Sequence, residues 1–483
     1  MDIRPTASLE ALPSPRSRVR VKTDLEKDTE AGMDRHARHH NSAHASTSGL
    51  DSDHEVLKPH AAAARAQSAQ WDRMLGAAVL GGATLSAYAI VTCLRSASLD
   101  HLELFHIYYQ PMLVMLAMLW LWAIDVRIFE RRRIAYGVCF SPQDQQYLRS
   151  SHQLFQVAAV LTCAIMGSAT LFTYHCALGQ LWAASLHPPL MYSLLVLLFL
   201  PLPLNFLFPE TRQFFARTLY RVATPVREVT WADFLLADIL TSLAKALSDL
   251  ERAMCHMLSG PVMQPHTSDQ VCSSSSWIIP LGLALPYAWR LCQCIRVYRD
   301  TGVRTNLFNA LKYSTAFPVI IFSAMKYQVP VEDWHGFYKP LWLAAALLNS
   351  SYSYFWDIER DWDIQWFTAP GERRCGLPRP VLRSELFFQR AFYYYLMASN
   401  LLLRLAWTYK LSPHLRRNHD TVLAFTLLEA FRRFQWVPVR VEVELRKLQH
   451  ARPELGQLVP APAADRAGAK PLDKRGLLSG EDP

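Results

Sequence analysis

The sequence predicts an all-α polytopic membrane protein with about ten transmembrane helices and both termini in the cytoplasm. Three observations lead to that class. Hydrophobic residues make up 51% of the 483 residues and charged residues only 19%. Several windows of about 20 residues are nearly free of charge, the length an α-helix needs to cross a bilayer. Lysine and arginine also alternate between successive loops, as the positive-inside rule requires. A soluble chain of this length would form about three domains, with its apolar residues dispersed. The net charge of +9 then belongs to loops beside anionic lipid, and nucleic acid is not an expected partner.

Residues 1–70 hold Ser, Ala, His and charge with almost no apolar periodicity, and are expected to be a disordered cytoplasmic tail. The cluster His36, His39, His40 and His44 fits a solvated tract better than a metal site. Four spans follow at 74–94, 104–124, 154–178 and 187–208, forming an N-terminal helical block over 71–230. The next six fall at 231–258, 277–296, 306–326, 340–357, 386–410 and 420–440, forming a second block over 231–450. Residues 451–483 are expected to be another disordered tail. Residues 1–20 lack the apolar core of a secretory signal, so the first span is expected to direct insertion. The nine cysteines suggest no disulfide framework. Cys93, Cys163, Cys176 and Cys255 lie in apolar segments, as small buried hydrophobes do. Cys292 and Cys294 are too close and too membranous for zinc.

The even-numbered loops carry five, four, about three and about five Lys or Arg. The odd ones carry about one, none, none, two and three. Even loops and both termini are therefore cytoplasmic.

Against this apolar background, Ser350–Trp366 places Asp357 and Asp361 one helical turn apart at the mouth of the eighth span. Carboxylates there are costly unless they face a polar cavity or a cation. Other spans supply cations. The fifth puts Asp238, Ser242, Lys245 and Asp249 on one helical face, fitting a wet path or a helix lying on the membrane surface. The seventh brings Lys312 and Tyr313, with Asn306 and Asn309. The ninth brings Asn400, Arg404 and Trp407. In the tenth, Glu429 precedes Arg432 and Arg433 by three and four residues, so acid and base share a face. Snorkelling suits Arg432 and Arg433 but not Arg404, which has apolar residues on both sides. Glu359 and Arg360 are expected to face the loop.

Arginine presents a planar fork that fits an oxyanion, and lysine adds a point charge. Carboxylates paired with them keep an empty site near neutral and compete with the ligand, as conduction requires. Trp356, Trp407, Tyr313 and Tyr354 suit the walls of such a path. The alternative is an Arg–Asp network that only ties helices together. P-loop, HExxH, GxSxG and glycine-rich nucleotide motifs are all missing, so no enzyme, cofactor or catalytic metal is expected.

The segments LADILTSL (236–243), AWRLCQCIRVYRDTG (288–302), NALKYST (309–315), SYSYFWDIERDW (351–362), AFYYYLMASNLLLRLAWTYKLS (391–412) and LLEAFRRFQWVPVRVEVE (427–444) resemble the EXS family. That family forms the membrane part of eukaryotic phosphate exporters. The resemblance covers about 220 residues. It implies a path for inorganic phosphate bound by Lys312, Tyr313, Arg404, Arg432, Arg433 and Trp407. Asp238, Asp357, Asp361 and Glu429 become gating counter-charges. Ser399-Asn400 replaces the acidic pair of animal members, and Val437-Pro438 departs from the usual aromatic pair. Seventy N-terminal residues are too few for the SPX domain of the long members, so the chain is similar to the short branch of yeast, plants and green algae. For that branch the resemblance implies Golgi residence, return of lumenal phosphate to the cytosol, and a part in recycling glycosyltransferases. A homodimer through the first four spans is a further expectation. The competing hypothesis is a non-transporting Golgi adaptor that retains glycosyltransferases, directly or through their sorting receptor.

Overall fold

The computed structural model describes residues 79–93, 99–199, 207–260, 275–364 and 386–451, with short pieces at 76, 262–264, 272, 373–374, 377–378, 382 and 453. Both expected tails lie outside the described residues, apart from Ala451 and Pro453, and so does the His36–His44 cluster. The described part is helical, with one two-residue antiparallel ladder in which Arg373 pairs with Pro378 and Arg374 with Leu377.

The helices are α1 (Val79–Cys93), α2 (Leu99–Arg132), α3 (Ser151–Ala177), α4 (Leu181–Phe199) and α5 (Pro209–Ala223). They continue as α6 (Trp231–Ser242), α7 (Ala244–Ser259), α8 (Ile278–Thr301), α9 (Thr305–Ser314) and α10 (Ala316–Met325). The last are α11 (Lys339–Trp356), α12 (Arg390–Arg404) and α13 (His419–Ala451). Local chemistry sets several ends. Ser150 with Gln153 and Thr230 with Asp233 form capping boxes that satisfy the first free N–H groups of α3 and α6. At the other end, α8 stops at Gly302, whose φ of 68° is the left-handed conformation of a helix C-cap.

Among the described residues, five stretches are long and apolar enough to cross a membrane: His101–Arg132, Ser151–Ala177, Leu181–Leu198, Ile278–Thr301 and Thr305–Met325. Among the other expected spans, Val79–Cys93 is a shorter apolar helix. The rest are α6–α7, α11, α12 and α13, the segments that carry most of the internal charges. Their low apolarity and the charged site have the same cause.

In two respects the helices depart from expectation. The fourth loop contains α5, an amphipathic helix tied to α6 by Arg221 Nε donating to Asp233 Oδ1 at 2.7 Å. The fifth span is not one helix, because α6 and α7 meet at a break at Leu243. Asp238 and Ser242 therefore part company with Lys245 and Asp249, which pair with each other. A third correction concerns the cysteines. Cys255 and Cys272 form a disulfide closing the connection between α7 and α8; apolar flanks hid this role.

Packing follows the burial pattern. The core at one end gathers Phe129 of α2, Leu235 of α6, Ile358, Tyr393 and Leu396 of α12, and Trp436, Val437 and Val439 of α13. At the other end, Tyr108, Tyr109 and Met112 of α2 pack with Ile165 and Phe172 of α3 and Met191 of α4. Between them, Val114 and Met118 meet Leu243 of the α6–α7 break, Ala246 and Ala430. α13 therefore runs past α2, α6 and α12, and brings its arginines to the middle of the bundle.

Candidate anion site

Four helical segments break at the site. α6 gives way to α7 at Leu243, and α9 to α10 at Thr315. α11 ends in a π-helical turn over Asp357–Asp361, where the N–H of Trp362 reaches back five residues to the carbonyl of Asp357. α12 ends at Arg404 and passes into the 3₁₀ turn Ala406–Leu411. Such interruptions leave backbone groups that helix propagation would have used, and they recur at functional sites and in transporter helices.

The first cluster centres on Asp238, which is 1% exposed. Arg290 Nε donates to its Oδ1 at 3.0 Å, and Arg433 Nη1 to its Oδ2 at 2.6 Å. The Tyr313 hydroxyl donates to Oδ1 as well. Arg433 also donates to Ser242 Oγ at 3.0 Å and Thr241 Oγ1 at 3.3 Å, with Trp436 under its guanidinium. Arg290 lies between the rings of Phe234 and Tyr313 and donates to Gln293 at 2.6 Å.

The second cluster centres on Asp357. Its Oδ2 accepts from Arg404 Nη2 at 2.6 Å, Arg404 Nε at 3.1 Å and Asn400 Nδ2 at 3.0 Å. Arg432 lies 3.6 Å from the same oxygen and holds Glu429 by two bonds, at 2.6 and 2.9 Å. The adjacency of Arg432 and Arg433 links the two clusters, and Ser242 Oγ accepts from both.

A third group joins Lys312 and Asp361, whose Nζ and Oδ2 lie 3.9 Å apart. Trp436 Nε1 donates to that oxygen at 3.3 Å. The π-helical turn explains why Asp357 and Asp361, expected to act as one pair, serve different cations. Glu359 within the turn is buried, contrary to the expected loop-facing role, while Arg360 is exposed.

Trp407 stands slightly apart, donating to Ser350 Oγ at 2.9 Å and packing edge-on against Trp342. Ser350 in turn donates to the Arg404 carbonyl, so Trp407 braces the end of α12. Tyr354 donates to the Met397 carbonyl and holds α11 against α12.

Arg290 and Gln293 were not among the expected site residues. The signal was present: Arg290 is a lone arginine in the apolar run IIPLGLALPYAWRLCQC, the situation that singled out Arg404. Its inclusion changes the charge balance. Five formal cations (Arg290, Lys312, Arg404, Arg432, Arg433) now face four carboxylates (Asp238, Asp357, Asp361, Glu429). Buried charges of this kind persist only when paired and hydrogen-bonded. A formal excess of positive charge leaves the set one anion short of balance.

Comparison with known proteins places this architecture. Residues 105–445 match the family described as the EXS family, beginning within α2 and ending within α13. SPX and EXS domain-containing protein 1 of Dictyostelium discoideum is 32% identical over 342 residues, covering 67% of this chain and 35% of that protein. The xenotropic and polytropic retrovirus receptor 1 homolog of Danio rerio is 30% identical over 352 residues, covering 70% and 49%. Human solute carrier family 53 member 1 is 29% identical over 360 residues, again covering 70% and 49%. The chain thus spans between a third and a half of the length of these relatives. By the match over residues 105–445, the chain belongs to the EXS family.

Proposed function

We propose that this chain carries inorganic phosphate across a membrane of the secretory pathway, from lumen to cytosol, along the charged interior between α6, α8, α9, α11, α12 and α13. One observation carries the proposal. Arg290, Lys312, Arg404, Arg432 and Arg433 converge with only four carboxylates where four helical segments are interrupted. A tetrahedral oxyanion supplies the missing negative charge, and guanidinium forks match its edges. Asp238, Asp357 and Glu429 hold the cations when the path is empty and compete with phosphate when it is occupied, which keeps binding weak enough for release, while Asp361 faces Lys312 across 3.9 Å. Trp407 acts from the rim, by fixing the end of α12 that presents Arg404.

The orientation adopted has ten spans and both termini in the cytoplasm. It is supported by the Cys255–Cys272 bridge, which ties the end of the fifth span to the fifth loop, with no Lys or Arg between the two cysteines. Disulfides persist in oxidising compartments, and loops poor in basic residues face away from the cytosol. We place the protein in the Golgi membrane, as a homodimer through its first spans, where it returns phosphate released by lumenal glycosylation. Contact with glycosyltransferases or their sorting receptor is secondary to that transport.

The test is phosphate flux from proteoliposomes containing the full chain. Flux should be present in the wild type and strongly reduced by Arg404→Ala and by Arg432→Ala. Undiminished flux in both variants removes the proposed path.

A further inference from the structure

The cations of the site are unequally engaged. Arg404, Arg432 and Arg433 each hold a carboxylate oxygen at 2.6 Å, and Arg290 holds one at 3.0 Å. Lys312 is different. Its Nζ lies 3.9 Å from Asp361 Oδ2, beyond hydrogen-bond reach, and it donates no hydrogen bond among the described residues. Two ring faces hold it in place, Tyr313 at 4.4 Å and Trp356 at 5.6 Å from the centroids. Trp356 is itself buried, and its Nε1 has no acceptor among the described residues.

Asp361 is under-used in the complementary sense. One oxygen accepts a single long bond from Trp436, and its other oxygen accepts none among the described residues. Asp238, by contrast, accepts from Arg290, Arg433 and Tyr313, and Asp357 from Arg404 and Asn400. Lys312 and Asp361 therefore keep open hydrogen-bonding capacity at side chains 7% and 12% exposed, and mark a place where a partner completes the set. Lys312 and Asp361 offer a donor and an acceptor across a gap too wide for a direct bond.

We propose that the Lys312–Asp361 gap reads whether the anion carries a hydrogen: Lys312 takes an anionic oxygen, while Asp361 accepts the hydrogen of a P–OH group. This assignment rests on the phosphate-path reading above and narrows it. The substrate class becomes hydrogen-bearing tetrahedral oxyanions, phosphate and arsenate, with sulfate excluded. Phosphate keeps a P–OH at neutral pH and sulfate has none, although the two ions are alike in shape and size. Facing sulfate, Asp361 meets an oxygen with nothing to donate, and two negative groups oppose each other inside the bundle. Sites whose buried polar groups are left unpaired by the wrong ligand discriminate far more strongly than sites that sense size alone. Asp361 is then the specificity residue of the path, and Lys312 the group that aims the anion at it.

The experiment is competition during phosphate efflux from proteoliposomes holding the full chain. In the wild type, arsenate should suppress phosphate flux and sulfate at equal concentration should not. Asp361→Asn, whose amide can donate to a bare oxygen, should lower the half-inhibitory concentration of sulfate about tenfold or more relative to that of arsenate. Asp357→Asn makes the same charge change at a saturated carboxylate and should reduce flux while leaving that ratio alone. Should Asp361→Asn carry no flux, thermal unfolding of the purified variant gives the same comparison. Equal stabilisation by phosphate and sulfate supports the assignment, and stabilisation by phosphate alone overturns it. An unchanged ratio in Asp361→Asn, or one moved equally by Asp357→Asn, also overturns it. So does a wild type inhibited as well by sulfate as by arsenate, whatever becomes of the variants. A wild type that moves no phosphate at all strikes instead at the transport reading.

Discussion

Arg290 and Arg433 hold the two oxygens of one carboxylate, Asp238, at 3.0 and 2.6 Å. They come from α8 and α13, more than a hundred residues apart in the chain, so this single side chain joins three helices. Removing one member of a buried ionic set leaves the others uncompensated, at a cost of about 3–5 kcal/mol. Asp238→Asn should therefore lower the stability of the purified protein by that order in thermal or denaturant unfolding. Adding Arg290→Gln to Asp238→Asn should recover part of the loss, because one orphaned charge is removed with its partner. A double variant whose losses simply add would show that the two residues act independently.

Arg404 uses two nitrogens on one oxygen of Asp357, and Asn400 donates to the same oxygen. A lysine at 404 would keep the charge but lose the fork. Arg404→Lys should leave folding nearly intact and reduce phosphate flux about tenfold or more, the effect of losing one strong charge-assisted bond. Wild-type flux in this variant would mean that charge alone suffices at position 404.

Much of this site was legible in the sequence because burial of charge is expensive wherever it occurs. Arg404 stood out as an arginine between apolar residues, and Glu429 and Arg432 as an acid and base three apart on one helix, which the structure pairs by two bonds. Arg290 obeyed the same rule but was overlooked in a segment read as an ordinary span. What the sequence concealed was mainly backbone geometry. The break at Leu243 has no Gly or Pro to announce it, and only Thr241-Ser242, weaker helix formers, precede it, with Thr241 Oγ1 donating back to the Asp238 carbonyl. The π-helical turn at Asp357–Asp361 is set by tertiary contacts, since both carboxylates are drawn to cations on other helices. A regular α-helix would have left Asp357 and Asp361 on one face and kept Glu359 outside. Asn400, which replaces an acidic residue of animal members, donates to Asp357 and accepts a long bond from Arg432, which makes it part of the charge network.

The Cys255–Cys272 bridge closes a loop of modest length, with 17 residues of sequence separation. Loop-closure entropy assigns such a bridge about 3 kcal/mol of stability. Cys255→Ser should lower the unfolding midpoint accordingly and free one thiol at position 272. Thiol labelling of sealed vesicles adds a topological readout. In Cys272→Ser, which frees the half-buried Cys255 in place of the buried Cys272, a membrane-impermeant maleimide should label Cys255 from the side opposite to the basic loops. Labelling from the same side as the basic loops would overturn the orientation proposed here.

Gly282 of α8 sits against Glu251 of α7, and a Cβ at that position would overlap Glu251 Oε2. That oxygen is buried and has no hydrogen-bond partner among the described residues. The close approach of these two helices therefore depends on a missing side chain and tolerates an unsatisfied carboxylate. Gly282→Ala forces the end of the flexible Glu251 side chain aside, which keeps the cost at the low end of overpacking, about 1 kcal/mol in unfolding experiments. Glu251→Ala removes the obstructing atoms and an orphaned polar group together, so alone it should be close to neutral. In that background Gly282→Ala should cost almost nothing, giving a favourable coupling energy of about 1 kcal/mol between neighbours. Equal costs of Gly282→Ala in both backgrounds would place the penalty in the backbone contact with Ser248, 3.5 Å from the same Cβ, instead.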